Sequence, residues 1–178
     1  MQKQIALLAT LVLTFAALAS AQTDKSKRPS PPASAECKLP GGKSIKTDYS
    51  SPRMHGRNIY GGLVPYGEVW RTGANEATTF VTDADLMIAG KEVPAGSYTL
   101  FTVPNKKDWT LIINKKTGEW GIPYKYESDE LLRVPMRVSQ LPSAVEDFTI
   151  SYESSPTGCT LQLDWAATRA SVKISEKK

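Results

Sequence analysis

Over residues 109–175 apolar side chains return at every second position. Trp109, Leu111 and Ile113 alternate with Thr110, Ile112 and Asn114. Leu132, Val134, Met136 and Val138 alternate with Arg133, Pro135 and Arg137. The same holds for Phe148, Ile150 and Tyr152, for Cys159, Leu161, Leu163 and Trp165, and for Ala170, Val172 and Ile174. A period of two puts one set on each face of an extended chain, so each run reads as a strand with one buried face. Further strands are predicted at 44–49, 77–82, 85–89 and 97–103. Turn chemistry separates them at Ala89-Gly90-Lys91, Pro94-Ala95-Gly96, Pro104-Asn105, Thr117-Gly118 and Pro156-Thr157-Gly158. A helical period is missing apart from one turn near Ser128–Leu132. Eight or nine antiparallel strands without helices predict an all-β protein, an antiparallel β-sandwich of jelly-roll-like form. Four Trp, seven Tyr and four Phe within a 40% hydrophobic chain of 178 residues can fill such a core, which excludes disordered, collagenous and disulfide-dense classes.

The N-terminus follows different rules. Lys3 precedes the 14-residue apolar run Ile5–Leu18, and Ala19-Ser20-Ala21 forms an A-x-A site. The run is shorter than the roughly 20 residues a membrane span needs. Residues 1–21 therefore read as a signal peptide cleaved after Ala21, which predicts a periplasmic or secreted protein with no membrane span after signal removal. Residues 22–36 are rich in Pro and Ser and lack large apolar side chains, so they read as a disordered linker. The single folded domain is expected at 37–175. The chain carries +4 overall, but residues 37–175 hold 16 Lys+Arg and 15 Asp+Glu, a net of +1. A nucleic-acid binder concentrates basic charge on its folded face, so no nucleic-acid partner is expected.

Residues 49–79 break the alternation. Five Gly, two Pro, three Arg, three Tyr and one Trp fall within 31 residues. The segment is too Gly-rich for a strand and too aromatic for a solvated loop. It predicts a long ordered loop packed on the sheet, where function often resides. Within and around it, YSSPR-x-x-GR-x-I-x-GGLVPYG-x-VWRTGANEAT (49–78), VPAGSYTLFT (93–102) and WTLIIN (109–114) resemble the bacterial family called domain of unknown function 2911. The resemblance runs from about Ile45 to Ile174. It implies an exported β-rich domain, in some members joined to other modules, and implies no activity, substrate or cofactor.

The residues themselves suggest where chemistry would sit. Arg53, Arg57, Arg71, Asn75 and Glu76 are interleaved with Tyr60, Tyr66 and Trp70. Guanidinium forks suit carboxylate or phosphate, and aromatics beside them can stack on a sugar or an apolar ligand. The expected ligand-binding set is Arg53, Arg57, Tyr66, Trp70, Arg71, Asn75 and Glu76, with a small anionic or glycan-like partner. The bland alternative has these arginines pinning the loop, Arg71 pairing with Glu76 or Asp48. Glu76 is a candidate base if burial raises its pKa. The segment 119–126 is read as a cap on the sheet, with framing the same pocket as its alternative. Cys37 and Cys159 are the only cysteines, and in an oxidising compartment they are expected to form a disulfide, with two buried thiols as the alternative. His55 is the sole histidine. A zinc site built from it and the cysteines lacks usable spacing, and no metal or cofactor is expected. The functional expectation is a non-catalytic ligand-binding or envelope-associated structural domain. The alternatives are an enzyme, a hydrolase or isomerase using Glu76 as base and Arg71 as anion clamp, and a protein-interaction module.

Overall fold

The computed structural model describes residues 24–178, so the expected signal peptide and its cleavage after Ala21 lie outside the described residues. The fold is all-β. Its strands are β1 (Pro32–Lys38), β2 (Ser44–Ser50), β3 (Thr78–Thr82), β4 (Leu86–Ile88), β5 (Lys91–Val93), β6 (Gly96–Val103), β7 (Asp108–Asn114), β8 (Glu130–Ser155) and β9 (Gly158–Glu176). They form one open antiparallel sheet in the order β1-β2-β3-β6-β7-β8-β9-β4-β5. The hydrogen-bonded ladder thus runs unbroken through nine strands. Two short 3-10 turns, Lys25–Lys27 and Glu127–Asp129, complete the regular structure. Among the described residues no helix is long and apolar enough to cross a membrane.

The sheet encloses a core because β8 and β9 bend. Between Gln140 and Thr149, nine steps along β8 face only four along β9, from Thr168 to Asp164. Ala166, opposite Val145, adopts φ 51°. Such bulges sharpen the local twist and turn a strand away from its first direction. The far half of the β8–β9 hairpin then meets the other end of the sheet. Tyr152 Oη and Thr47 Oγ1 share a hydrogen bond at 2.6 Å, and Ile150 N donates to Tyr49 Oη at 3.0 Å. Phe148 N donates to the Pro52 carbonyl at 2.8 Å. Cys37 on β1 and Cys159 on β9 form a disulfide with Cα atoms 6.6 Å apart.

Trp109, Leu111, Phe148, Leu163 and Trp165, from the alternating runs, meet Phe80 and Leu100 in one core. Each fully buried large apolar side chain of this kind contributes about 1.5–3 kcal/mol. The opposite face is covered as well. Phe101 and Ile112 are buried beneath Tyr124 and Tyr126, with the Phe101 ring centroid 4.9 Å from Tyr124 and 6.2 Å from Tyr126. Segment 119–126 therefore does cap the sheet.

One expectation needs correction. The end of the expected linker, Pro32–Glu36, is strand β1, paired residue by residue with Lys46–Ser50. Its side chains are small, so burial alone would not order it. Main-chain hydrogen bonds to β2 do so, and period-two reading is blind to that contribution.

Candidate functional site

The long loop spans 51–77, between β2 and β3, and it is ordered by anchors at three depths. Near its start Arg53 forms a bridge with Asp147, reinforced by Nε to Oδ1 at 3.0 Å. Arg57 then turns back on the backbone, donating Nε to the Met54 carbonyl at 2.9 Å and Nη2 to the Arg53 carbonyl. In the middle, Ile59 and Val64 are buried in the main core. Near its end Trp70 bridges to Thr102, and its indole donates to the Gly73 carbonyl at 3.1 Å. The Trp70 ring lies among Trp165, Phe148, Tyr60 and Trp109, stacked on Trp165 at 5.9 Å and edge-on to the others.

Thr72 has φ 55° and is fully buried. For a β-branched residue this is a strained conformation, costing on the order of 1–3 kcal/mol. Three hydrogen bonds hold it: Thr72 Oγ1 to the Trp70 carbonyl at 3.2 Å, Thr72 Oγ1 with Thr102 Oγ1 at 2.9 Å, and Thr78 Oγ1 to the Thr72 carbonyl at 2.7 Å. The turn they enforce follows directly on Trp70 and Arg71.

Beside this turn lies a cleft of about 380 Å³, within the size range of small-molecule sites. Trp70 and Trp165 contribute to its wall, with Leu63 and Ile122, 46% and 43% exposed, at the surface. Its charged lining groups are Arg57, Arg71 and Glu68. Arg71 is half-buried. Its guanidinium lies over the Trp120 ring, 4.9 Å from the centroid, and donates from Nη1 to the Trp120 carbonyl at 3.3 Å. Among the described residues it has no ion-pair partner, and burial pushes its pKa down from the ordinary guanidinium value while Glu76 pulls the other way.

Of the seven expected binding residues, the structure therefore brings Arg57, Trp70 and Arg71 to one cleft. The other four lie elsewhere. Arg53 is engaged with Asp147. The Tyr66 ring packs over Gly61, where an added Cβ would come within 2.6 Å of it. Asn75, at φ 58°, donates Nδ2 to the Ser30 carbonyl at 3.0 Å. Glu76 accepts from Arg28 at 2.7 Å and pairs with Lys25 at 3.2 Å. The Arg28 hydrogen bond, with smaller help from its own backbone N–H and Lys25, holds the Glu76 carboxyl down at about 2. This corrects the reading of Glu76 as a base with a raised pKa. It also corrects the alternative in which Arg71 pairs with Glu76 or Asp48: Glu76 pairs with Arg28 and Lys25, from a segment assigned to the linker, and Asp48 with Lys46. Ser30, from that same segment, lines the cleft.

Sequence reasoning missed Glu68, Leu63 and Ile122 as lining residues, and took Trp165 only as core. The clue was present for Ile122: it sits in the aromatic loop 119–126, whose alternative reading as a pocket frame holds together with the cap. The Cys37–Cys159 disulfide leaves no thiolate for a zinc site with His55. Among the described residues no group of three or more His, Cys, Asp or Glu is placed to hold a metal ion.

The model of the family described as "Protein of unknown function (DUF2911)" matches residues 30–174, and the chain belongs to that family. No curated protein and no solved structure matches the chain.

Proposed function

We propose that this DUF2911 member is an exported, non-catalytic domain that binds a small anionic ligand in the cleft between the long loop and the 119–126 segment. The observation that carries the reading is Arg71. A half-buried guanidinium with one carbonyl bond, an aromatic under one face and, among the described residues, no ion-pair partner retains unused N–H donors beside the cleft. Such a group is stabilised by an anion, and an enclosing apolar cleft strengthens that attraction.

Export is part of the proposal. Its support is the apolar run Ile5–Leu18 with Ala19-Ser20-Ala21, together with a disulfide, which persists in oxidising compartments. On this reading residues 1–21 are removed and the folded unit starts near Arg28, just ahead of β1. The enzymatic alternative is weakened at Glu76, whose carboxylate is engaged by Lys25 and Arg28 and is absent from the cleft lining. The interaction-module alternative rests on Leu63, Trp120 and Ile122, which are 46%, 55% and 43% exposed and lie in the cleft or on Arg71.

The test is a thermal-shift and NMR screen of residues 22–178 against organic acids, sugars and metal ions. The expected result is stabilisation by organic acids, with shifted resonances at Arg71, Leu63 and Ile122. Stabilisation by none of the three classes would overturn the reading.

A further inference from the structure

The chemistry lining the cleft is specific enough to name a ligand class, and the naming rests on the binding reading above. Sugars are recognised by an open aromatic face flanked by several polar groups with unused hydrogen-bonding capacity. The cleft offers little of either. The Trp70 indole N–H is engaged by the Gly73 carbonyl and that of Trp165 by the Glu146 carbonyl at 3.0 Å. The two rings stack on each other at an interplanar angle of 17°, and one face of Trp120 is taken by Arg71. Arg57 donates to two main-chain carbonyls.

Apolar surface dominates what remains: Leu63, Val64, Pro65, Val69 and Ile122 among the lining. Burying a hydrocarbon or aryl body there gains about 25 cal/mol per Å². The formal charge of the lining, from Arg57 and Arg71 against Glu68, is +1. One negative charge matches it. A phosphate monoester, at about −1.5 to −2 near neutral pH, would leave Glu68 facing surplus negative charge. The guanidinium fork matches carboxylate and phosphate alike in shape, so the charge balance decides between them.

We propose that the ligand is an apolar monocarboxylate, its carboxylate taken by Arg71 and its acyl or aryl body seated against Leu63, Val69 and Ile122. Octanoate and 3-phenylpropionate represent the class. Octan-1-ol and 3-phenylpropan-1-ol represent the same bodies without the charge, octyl phosphate the same body with a dianion, and tetra-N-acetylchitotetraose the glycan.

The experiment is calorimetric or NMR titration of residues 22–178 with each of these compounds. Octanoate is expected to bind about ten-fold or more tightly than octanol, the discrimination typical of a charge-assisted hydrogen bond. Arg71→Gln is expected to erase that ratio while leaving octanol binding in place. Ile122→Trp, at a position 43% exposed, is expected to weaken both by filling the cleft, its fold checked by an unchanged melting temperature. Equal affinity for octanoate and octanol, or tighter binding of octyl phosphate, would overturn the monocarboxylate assignment and leave the cleft as a binding site. Resonance shifts at the cleft caused by the glycan alone would do the same. Absence of any shift with all six compounds would remove the ligand class, and the broader screen above decides separately whether the cleft binds at all.

Discussion

The Arg28 guanidinium donates to Glu76 Oε2 at 2.7 Å, joining residues 48 apart in sequence and fastening the segment before β1 to the end of the long loop. Its partner's carboxyl is thereby held at about 2, below its ordinary 4.5. A carboxyl that ionises more readily in the folded state stabilises fully above its unfolded pKa and loses that contribution as pH falls toward the folded value. The loss should run from about pH 4.5 to about pH 2. Glu76 is 43% exposed, so solvent screening keeps the contribution below about 1 kcal/mol. Melting temperatures measured from pH 6 to pH 2 should fall less steeply for Glu76→Gln than for the parent chain. Parallel curves would show that the pair contributes nothing.

The Cys37–Cys159 disulfide closes a separation of 122 residues. The chain-entropy estimate for such a loop is about 4–5 kcal/mol, and removal of comparable native bridges costs 2–5 kcal/mol. Cys37→Ser with Cys159→Ser should lower stability to urea by that amount, and alkylation of the unreduced parent should label no thiol. Two labelled thiols, or an unchanged unfolding midpoint in the double variant, would contradict this.

Gly158 opens β9 at φ 153°, and a Cβ there would sit 2.2 Å from the Ile174 carbonyl oxygen. Backbone cannot yield as a flexible side chain can. Gly158→Ala should cost more than about 2 kcal/mol. Gly118, at φ 77°, has open space around its would-be Cβ, so Gly118→Ala should cost only the left-handed strain of about 1 kcal/mol. A chemical-denaturation comparison of the two variants that found equal losses would refute the steric argument.

Trp70 and Trp120 flank Arg71 but differ in depth, at 9% and 55% exposure. Trp70→Phe removes the donor to the Gly73 carbonyl and leaves that acceptor buried, for an expected loss of about 1–3 kcal/mol. Trp120→Phe, a surface change that keeps an aromatic under the guanidinium, should stay within about 0.5 kcal/mol. Urea titration followed by the remaining tryptophans distinguishes the two.

Much of the sheet was legible because alternation records burial directly. Strands β2, β3, β4, β6 and β7 lie within one or two residues of the runs read at 44–49, 77–82, 85–89, 97–103 and 109–114. The predicted and observed strand numbers nonetheless agree for partly different reasons. β8 and β9 were each read as two strands, since bulged residues such as those near Val145 and Ala166 interrupt the period without ending the pairing. β1 and β5 went unread, one made of small residues, the other only Lys91–Val93. The loop's importance was visible in its Arg, Gly and aromatic content, whereas the partners of its polar groups were not. Arg57 meets main-chain carbonyls, and Glu76 meets a cation from before β1. Contacts of both kinds depend on how the chain returns on itself, which side-chain pattern does not encode. Glu68 and Ile122 join one cleft for the same reason.

The bond between β1 and β9 also sets how the domain would carry a mechanical load. A pull applied ahead of β1 reaches Cys37 and passes covalently to Cys159, bypassing residues 38–158. The long loop, most of the sheet and the cleft lining apart from Ser30 and Trp165 lie inside that bypass. Tension along the chain would be borne by β1, the cystine and β9, while the residues proposed to hold a ligand stay outside the line of force.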